Sequence, residues 1–393
     1  MKRIAIFCDG TWNGAEGDWP TNVKILGYAA AMKSSAYQQV SYFKGVGVPE
    51  GGTWLERLNE KISGGAMGWG LDAKIALAYV ALAKAYEPGD QVFIFGFSRG
   101  AYTARSLVGL IRYSGIPAST AKSVIDACFE NYRGQNRGEA PPTGRSLADT
   151  DHNLAFRARL SPHVATSAFE RDWRVKSGEQ PLPLFSVAYL GVWDTVGALG
   201  IPSYWGLPAR ILNRKYRFHN TDLSSLVLSA RHAVSIDERR RPFEPTLWTN
   251  LDTLAAEGGD YRQEWFAGDH GSVGGGGDIE GLSSITLSWI AEGARAAGLE
   301  FDGARMDEAS APCDPFAKLR NRSATPTLAE RVMSITSRWR RGPTTASDVS
   351  HPVKSRWLKK RDYRPKPLLT VAGDLDQTPL ADLRDYRWTA GLA

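Results

Sequence analysis

The stretch Gln91-Val92-Phe93-Ile94-Phe95-Gly96-Phe97-Ser98-Arg99-Gly100-Ala101-Tyr102 is a short apolar run that ends in Gly-x-Ser-x-Gly and continues with helical spacing. The five residues before Gly96, 91–95, read as a strand buried on both faces, which only a covered parallel sheet can hold. After the motif, Ala101, Ala104, Leu107, Val108, Leu110 and Ile111 recur as one helix face until Ser114-Gly115-Ile116-Pro117 stops them. A strand that turns at once into a helix, with serine at the turn and glycines on both sides, presents the hydroxyl where a base can reach it. Gly96 and Gly100 let the backbone pass closely. The helix start adds unpaired N–H groups and partial positive charge, so the Arg99 N–H is a candidate donor to an oxyanion beside Ser98. A fortuitous tight turn is the competing reading, and the presence of strand, turn and helix together argues against it.

Beyond this unit, residues 3–8 and 38–43 read as strands, 71–86 as a helix, 99–114 and 119–132 as helices and 184–192 as another buried strand. Helices are expected at 223–235 and about 280–298, with a late strand at 368–371. The alternation predicts an α/β fold of α/β-hydrolase type, a mostly parallel central sheet with helices on both faces and large insertions. With 393 residues, 42% of them hydrophobic, one elaborated domain over 1–393 can bury a large core. Residues 133–180 are polar and without clear period and are expected as an insertion on the surface or over the site. Residues 201–222 mix aromatic, aliphatic and cationic residues as a lid or an interfacial surface would, with an ordinary packed loop as the equal alternative, and 313–393 are expected as a basic, proline-containing wrap.

The N-terminus Met1-Lys2-Arg3 enters a strand directly and no stretch approaches the length of a membrane span. A soluble chain made in the cytoplasm is expected, with export by a signal-less route left open. Three separated cysteines, Cys8, Cys128 and Cys313, argue against a disulfide framework or a zinc site. No metal or other cofactor is expected. The net charge of +6 gathers at Arg239-Arg240-Arg241, Arg338-Arg340-Arg341 and Lys354-Arg356-Lys359-Lys360-Arg361, where solvated faces are favoured over contact with phosphate head groups or nucleic acid. Gly64-Gly65-Ala66-Met67-Gly68-Trp69-Gly70 lacks the Gly-Lys-Ser/Thr ending of a phosphate loop, and no nucleotide or nucleic-acid partner is expected.

A reactive Ser98 needs a base and an acid. Of the six histidines, His152 and His163 lie in the irregular insertion, His219 in a polar connection, His232 within the expected helix 223–235, and His351 before Pro352. His270 follows the apolar Trp265-Phe266-Ala267 and precedes Gly271-Ser272-Val273-Gly274, at the carboxyl end of a late strand, the edge where open α/β sheets place their sites. A hydrogen-bonded loop histidine is its alternative role. Asp194 ends the apolar run 184–192 and would emerge at the same edge to orient the imidazole, with a turn role as alternative and Asp269 and Asp237 in reserve. Asp9-Gly10-Thr11-Trp12 follows the first strand, so Gly10 or Thr11 could give the second oxyanion donor while Asp9 shapes the loop; a plain turn competes. Among 13 tryptophans, Trp12, Trp205 and Trp265, together with Arg210, are candidates for a substrate pocket or lid, or for core packing.

Asp9-Gly10-Thr11-Trp12, Gly96-Phe97-Ser98-Arg99-Gly100-Ala101-Tyr102-Thr103-Ala104-Arg105, Val192-Trp193-Asp194-Thr195-Val196-Gly197 and Trp265-Phe266-Ala267-Gly268-Asp269-His270 together resemble a bacterial α/β-hydrolase family. That family, long labelled a domain of unknown function, includes the catalytic domain of type VI secretion phospholipase effectors (Tle-like). His232-Ala233-Val234-Ser235-Ile236-Asp237-Glu238-Arg239-Arg240 and Ser350-His351-Pro352-Val353 also look like its pattern. The resemblance implies a triad of Ser98, Asp194 and His270 and hydrolysis of lipid carboxylic esters through an acyl-enzyme, with a phospholipid as substrate and a membrane surface, secretion component or immunity protein as partner. Ser272 stands where the family often carries an aspartate. The large effectors carry an extra membrane-anchoring region, so effector status does not follow from the resemblance. A carboxylesterase of small soluble esters and a non-catalytic binding protein on a hydrolase fold are the alternatives.

Overall fold

Strand residues that alternate between two equally apolar faces need a helical layer on each side, and this constraint organises the molecule. The structure, a computed structural model, describes residues 1–10, 19–33, 37–45, 69–134, 146–197, 221–256, 258–319, 337–384 and 386–388. Among these residues six strands, β1 (Arg3–Cys8), β2 (Gln38–Phe43), β3 (Gln91–Phe97), β4 (Val187–Trp193), β5 (Ser229–Ser235) and β6 (Asp260–Phe266), form one sheet of order β2-β1-β3-β4-β5-β6. Every pairing is parallel. The order reverses at β1 and β3, and at such a switch point the chains diverge to opposite faces and leave a crevice at the carboxyl ends of the strands.

The alternation sorts side chains into two cores. Ala5, Phe7, Phe93, Phe95, Tyr189 and Trp193 face one, and Ile4, Ile6, Val92, Ile94, Leu190 and Val192 the other. Phe7 stacks on Phe95 with centroids 4.5 Å apart, as their pairing in register requires. Helices α1 (Asn22–Ala31), α9 (Gly281–Ala296), α10 (Gly303–Ser310), α11 (His351–Lys359) and α12 (Ala372–Asp376) contribute to the first core. Helices α2 (Trp69–Ala85), α3 (Arg99–Ser114) and α4 (Lys122–Arg133) cover the other face. The short helices α7 (Leu251–Ala255) and α8 (His270–Gly274) flank β6, while α5 (Asp151–Leu160) and α6 (Ala168–Lys176) lie between α4 and β4 in the chain. Among the described residues no helix is long and apolar enough to cross a membrane.

Several expectations are corrected. Residues 223–235 do not form a helix: Leu223, Leu226, Val227, Ala230, Ala233 and Val234 have helical spacing, but pairing with β4 and β6 draws 229–235 into strand β5. The expected strand 368–371 lies in a 3-10 turn, Lys366–Val371, since Pro365 and Pro367 cannot donate to a sheet. Helix α1 is not among the elements expected from the sequence, although Thr21 caps it by accepting from the Lys24 N–H.

Of the expected insertion 133–180, the described residues 146–180 are neither irregular nor over the site. Helices α5 and α6 bury a charge network in which Arg112 Nη2 meets Asp149 at 2.6 Å and Glu170 binds Arg157 at 2.6 Å and Arg174 at 2.5 Å. Arg112 lies thirteen residues after Arg99 on α3, roughly 20 Å along the helix, so this network sits at the end remote from Ser98. Trp265 packs in the core at 2% exposure rather than lining a pocket. Thr11, Trp12, Trp205, Arg210 and most of 201–222 lie outside the described residues.

The junction of β1, β3 and α3 is the tightest backbone contact at the site edge. A Cβ on Gly100 would stand 2.0 Å from the Cys8 carbonyl oxygen, and one on Gly96 2.4 Å from that of Gly100. Gly100→Ala should therefore destabilise the protein by about 1–3 kcal/mol, as overpacking does. Gly373→Ala, with open space around it, should stay within about 0.5 kcal/mol. Urea midpoints of both variants test this, and equal midpoints would exclude the backbone clash as a constraint.

Candidate functional site

Ser98 follows β3 and caps α3 with φ 58° and ψ −121°, a conformation that L-residues rarely adopt. Its N–H donates to the Trp193 carbonyl at 3.1 Å, which ties the turn to the end of β4. The residue after Trp193 is Asp194, and its φ is 35°. Ser98 and Asp194 are the only non-glycine residues with positive φ among the described residues. Strain of this kind persists only where the surroundings enforce it, and it clusters at functional sites.

His270 opens α8, with Asp269 as its N-cap accepting from the Ser272 N–H at 2.9 Å. Asp194 Oδ2 and His270 Nδ1 are 2.5 Å apart, and Asp194 is fully buried. An ionised carboxylate can only accept, so Nδ1 carries a proton, and in the neutral ring Nε2 is the acceptor. The imidazole lies 4.6 Å from the Phe97 ring and 4.7 Å from that of Phe243. Since Phe97 precedes Ser98, serine, imidazole and carboxylate share one end of the sheet. Among the described residues neither Ser98 Oγ nor His270 Nε2 makes a hydrogen bond, so the link between them is not closed in this structure.

The Asp194 carboxylate is further held by the Ser235 N–H at 2.9 Å and by both terminal nitrogens of Arg340, at 2.7 and 2.8 Å. Burial works to raise its pKa. The Arg340 guanidinium and the His270 bond outweigh it and hold the carboxyl well below the ordinary carboxylate range. Glu238, 2% exposed, accepts from the His270 N–H at 3.3 Å. Burial would raise it too, but Arg240 brings it down to about 2.

The reserve carboxylates have other duties: Asp269 caps α8, and Asp237 accepts from the Gly268 N–H at 2.8 Å and the Tyr363 hydroxyl at 3.1 Å. Ser272 donates its hydroxyl to Asp269 at 2.9 Å. Arg340 is a site residue that sequence reasoning missed, because there it looks like one member of a solvated basic run. His232 is no base, but not for the reason its expected helix suggests. It lies in β5, fully buried, its Nε2 accepting from the Thr195 N–H at 3.2 Å and its Nδ1 donating to Gln263 at 2.9 Å.

Asp9 organises the loop after β1. It accepts from Thr21 Oγ1 at 2.9 and 2.8 Å, from the Tyr42 hydroxyl, and from the Gly10 N–H at 2.7 Å. The Gly10 N–H is thereby committed, which corrects its expected role as an oxyanion donor. Gly10 itself still abuts the serine, since a Cβ on it would stand 3.3 Å from Ser98 Cβ. The Arg99 N–H, at the first position of α3, has no partner among the described residues. No group of three or more His, Cys, Asp or Glu converges as a metal site among the described residues.

Comparison with known proteins adds a family. Residues 2–293 match the family model "T6SS, Phospholipase effector Tle1-like, catalytic domain". An uncharacterized protein of Saccharomyces cerevisiae, YEL023C, is 27% identical over 258 residues, 64% of this chain and 33% of its own length, so the chain spans about a third of that relative. An uncharacterized protein from Pseudomonas aeruginosa has a similar solved structure (TM-score 0.36, 17% identity, 76% of this chain and 46% of the other). A Tle1 effector bound to the VgrG spike of the type VI secretion system is comparable (TM-score 0.35, 14% identity, 70% and 51%).

The segment before His270 yields a pH prediction. Burial pushes the Asp237 carboxyl up to about 6, so the folded state binds its proton more tightly than the unfolded chain. Its contribution to stability is therefore present at low pH and is lost as pH rises from about 4 to about 6. Asp237→Asn should gain on the wild type by about 2–3 kcal/mol between pH 4 and pH 7.5. Urea unfolding at the two pH values measures the gap, and a gap that does not change would refute the assignment.

Proposed function

The chain belongs to the family of Tle1-like phospholipase effector catalytic domains, and from that premise we propose that it is a serine hydrolase of lipid carboxylic esters, with Ser98 as nucleophile. The observation that carries the reading is the 2.5 Å bond between a buried Asp194 and His270, beside a serine held at positive φ on the neighbouring strand end. In the proposed cycle Ser98 Oγ attacks the ester carbonyl carbon while its proton passes to His270 Nε2. Asp194 keeps its charge, fixes the tautomer and stabilises the imidazolium. The oxyanion is received by the Arg99 N–H and, because Gly10 is committed, by Thr11. The tetrahedral intermediate expels the alcohol, which takes the proton from His270. Water, deprotonated by His270, then releases the acid and restores Ser98. The gap between Oγ and Nε2 is of the kind that closes on substrate binding.

A phospholipid is the proposed substrate, in line with the family, and the aromatic and cationic stretch around Trp205 and Arg210 is proposed to meet acyl chain and head group. Export through a type VI spike, with an immunity partner in the producing cell, is the corresponding partner proposal. A fluorophosphonate probe should label the wild type and not Ser98→Ala. Release of fatty acid from a panel of phospholipid classes, followed by mass spectrometry, should fall by about a thousandfold or more in Ser98→Ala and His270→Ala. Labelling that survives in Ser98→Ala would sink the nucleophile assignment. Turnover confined to short soluble esters would replace the phospholipase by a carboxylesterase.

A further inference from the structure

Arg340 takes no part in the proton transfers of the proposed cycle, yet its guanidinium is bonded throughout the site. It comes from the C-terminal segment, beyond the residues 2–293 that match the family model, and is 5% exposed. Nη1 donates to Asp194 Oδ1 at 2.7 Å, to the Ser235 carbonyl at 2.9 Å and to Ser235 Oγ at 2.7 Å. Nη2 donates to Asp194 Oδ2 at 2.8 Å and to the carbonyl of Phe243, whose ring rests on His270. Without the fork the Asp194 carboxylate has one partner on each oxygen, the Ser235 N–H on Oδ1 and the imidazole on Oδ2, and keeps part of its freedom to rotate about its Cβ–Cγ bond. A planar fork on both oxygens removes that freedom and aims Oδ2 at Nδ1.

We propose that Arg340 is a positioning residue for this hydrolysis: its fork fixes the plane of the Asp194 carboxylate and balances its charge, so that Asp194 holds the His270 ring in the orientation in which it takes the Ser98 proton. The inference rests on the proposed roles of Ser98, His270 and Asp194. Its electrostatic half follows from the groups around the imidazole. Asp194 faces it from the end of β4, and Glu238, paired with Arg240, from the segment after β5. Asp269 precedes it in the chain and Asp237 holds the Gly268 N–H. His232, joined by a bond to the Thr195 N–H next to Asp194, is kept neutral by burial and adds no charge. Without Arg340, the Asp194 charge would be uncompensated and would favour the imidazolium, which cannot act as a base.

The test compares Arg340→Met and Arg340→Lys with the wild type and Ser98→Ala, on a soluble short-chain ester across about pH 5 to 9. Arg340→Met should lose about 100-fold in kcat with KM within about 3-fold, the size expected when a catalytic group is misplaced by about an ångström. Its acid limb in kcat/KM should also move up by about one pH unit. Arg340→Lys keeps the charge without the fork, so kcat should fall about tenfold while the acid limb stays in place. If Arg340→Met fails to fold, the lysine variant decides: a wild-type kcat overturns the positioning role, and an acid limb that moves overturns the charge-balancing role. A folded Arg340→Met with wild-type kcat and acid limb overturns the whole proposal. Loss of turnover in Ser98→Ala beside such a variant leaves the hydrolase reading intact and removes Arg340 from it. Undiminished turnover in Ser98→Ala overturns that reading itself.

Discussion

A carboxylate with no exposed surface must be neutralised where it sits, and much of the site depends on the burial of Asp194. Its oxygens accept from the Ser235 N–H on β5, from His270 on α8 and from Arg340 in the C-terminal segment. Three distant parts of the chain therefore meet at one side chain. The cost of leaving such a charge unpaired, about 3–5 kcal/mol, is large against the whole stability of a domain. The segment after residue 337 is thus bound to the sheet edge by a charge as well as by its apolar residues. Ser350 donates its N–H to the Trp265 carbonyl, while Val349, Val353 and Trp357 fill the core beneath.

The second constraint is steric. Gly96 and Gly100 allow β1, the turn and α3 to approach to distances that no side chain tolerates. Phe97 is wedged against Gly274, where a Cβ would stand 2.0 Å from its ring, and its ring also meets the His270 imidazole. The strained φ of Ser98 is held from two sides: the Trp193 carbonyl takes its N–H, and the helix that begins at Arg99 fixes the backbone beyond it. Rigid packing and a strained serine turn are thus the same arrangement viewed at two scales.

These two constraints explain what was legible in the sequence. The unit β3-turn-α3 could be read because its signals are local: an unbroken apolar run, glycines at the turn and a helical repeat that ends at Gly115. Strand β4 and Asp194 were legible for the same reason, since apolar continuity ends where the edge begins. Strand β5 was not, because the apolar residues of 223–235 satisfy a helical period and only lateral pairing decides against it. Arg340 was beyond reach. Arg338 and Arg341, its neighbours in the same basic run, are exposed, while Arg340 is buried on a carboxylate 146 residues away. Nothing in composition distinguishes the three. The commitment of the Gly10 N–H was equally hidden, because a motif specifies which residues flank a turn and not where each N–H points.

Among the described residues, the two buried histidines make the chemical distinction sharpest. His232 lies in the strand next to Asp194 and could pass for its partner on position alone. Both of its nitrogens are committed, one accepting from the Thr195 N–H and the other donating to Gln263, and burial takes its pKa down to about 3. It can neither take up a proton near neutral pH nor offer a free lone pair. His270 has one nitrogen engaged by Asp194 and the other without a partner among the described residues, on the side of the sheet where Phe97 leads into Ser98. A general base needs an oriented ring and an unoccupied acceptor together. The hydrogen bonds around each ring, rather than its place in the sequence, therefore separate the structural histidine from the one proposed to react.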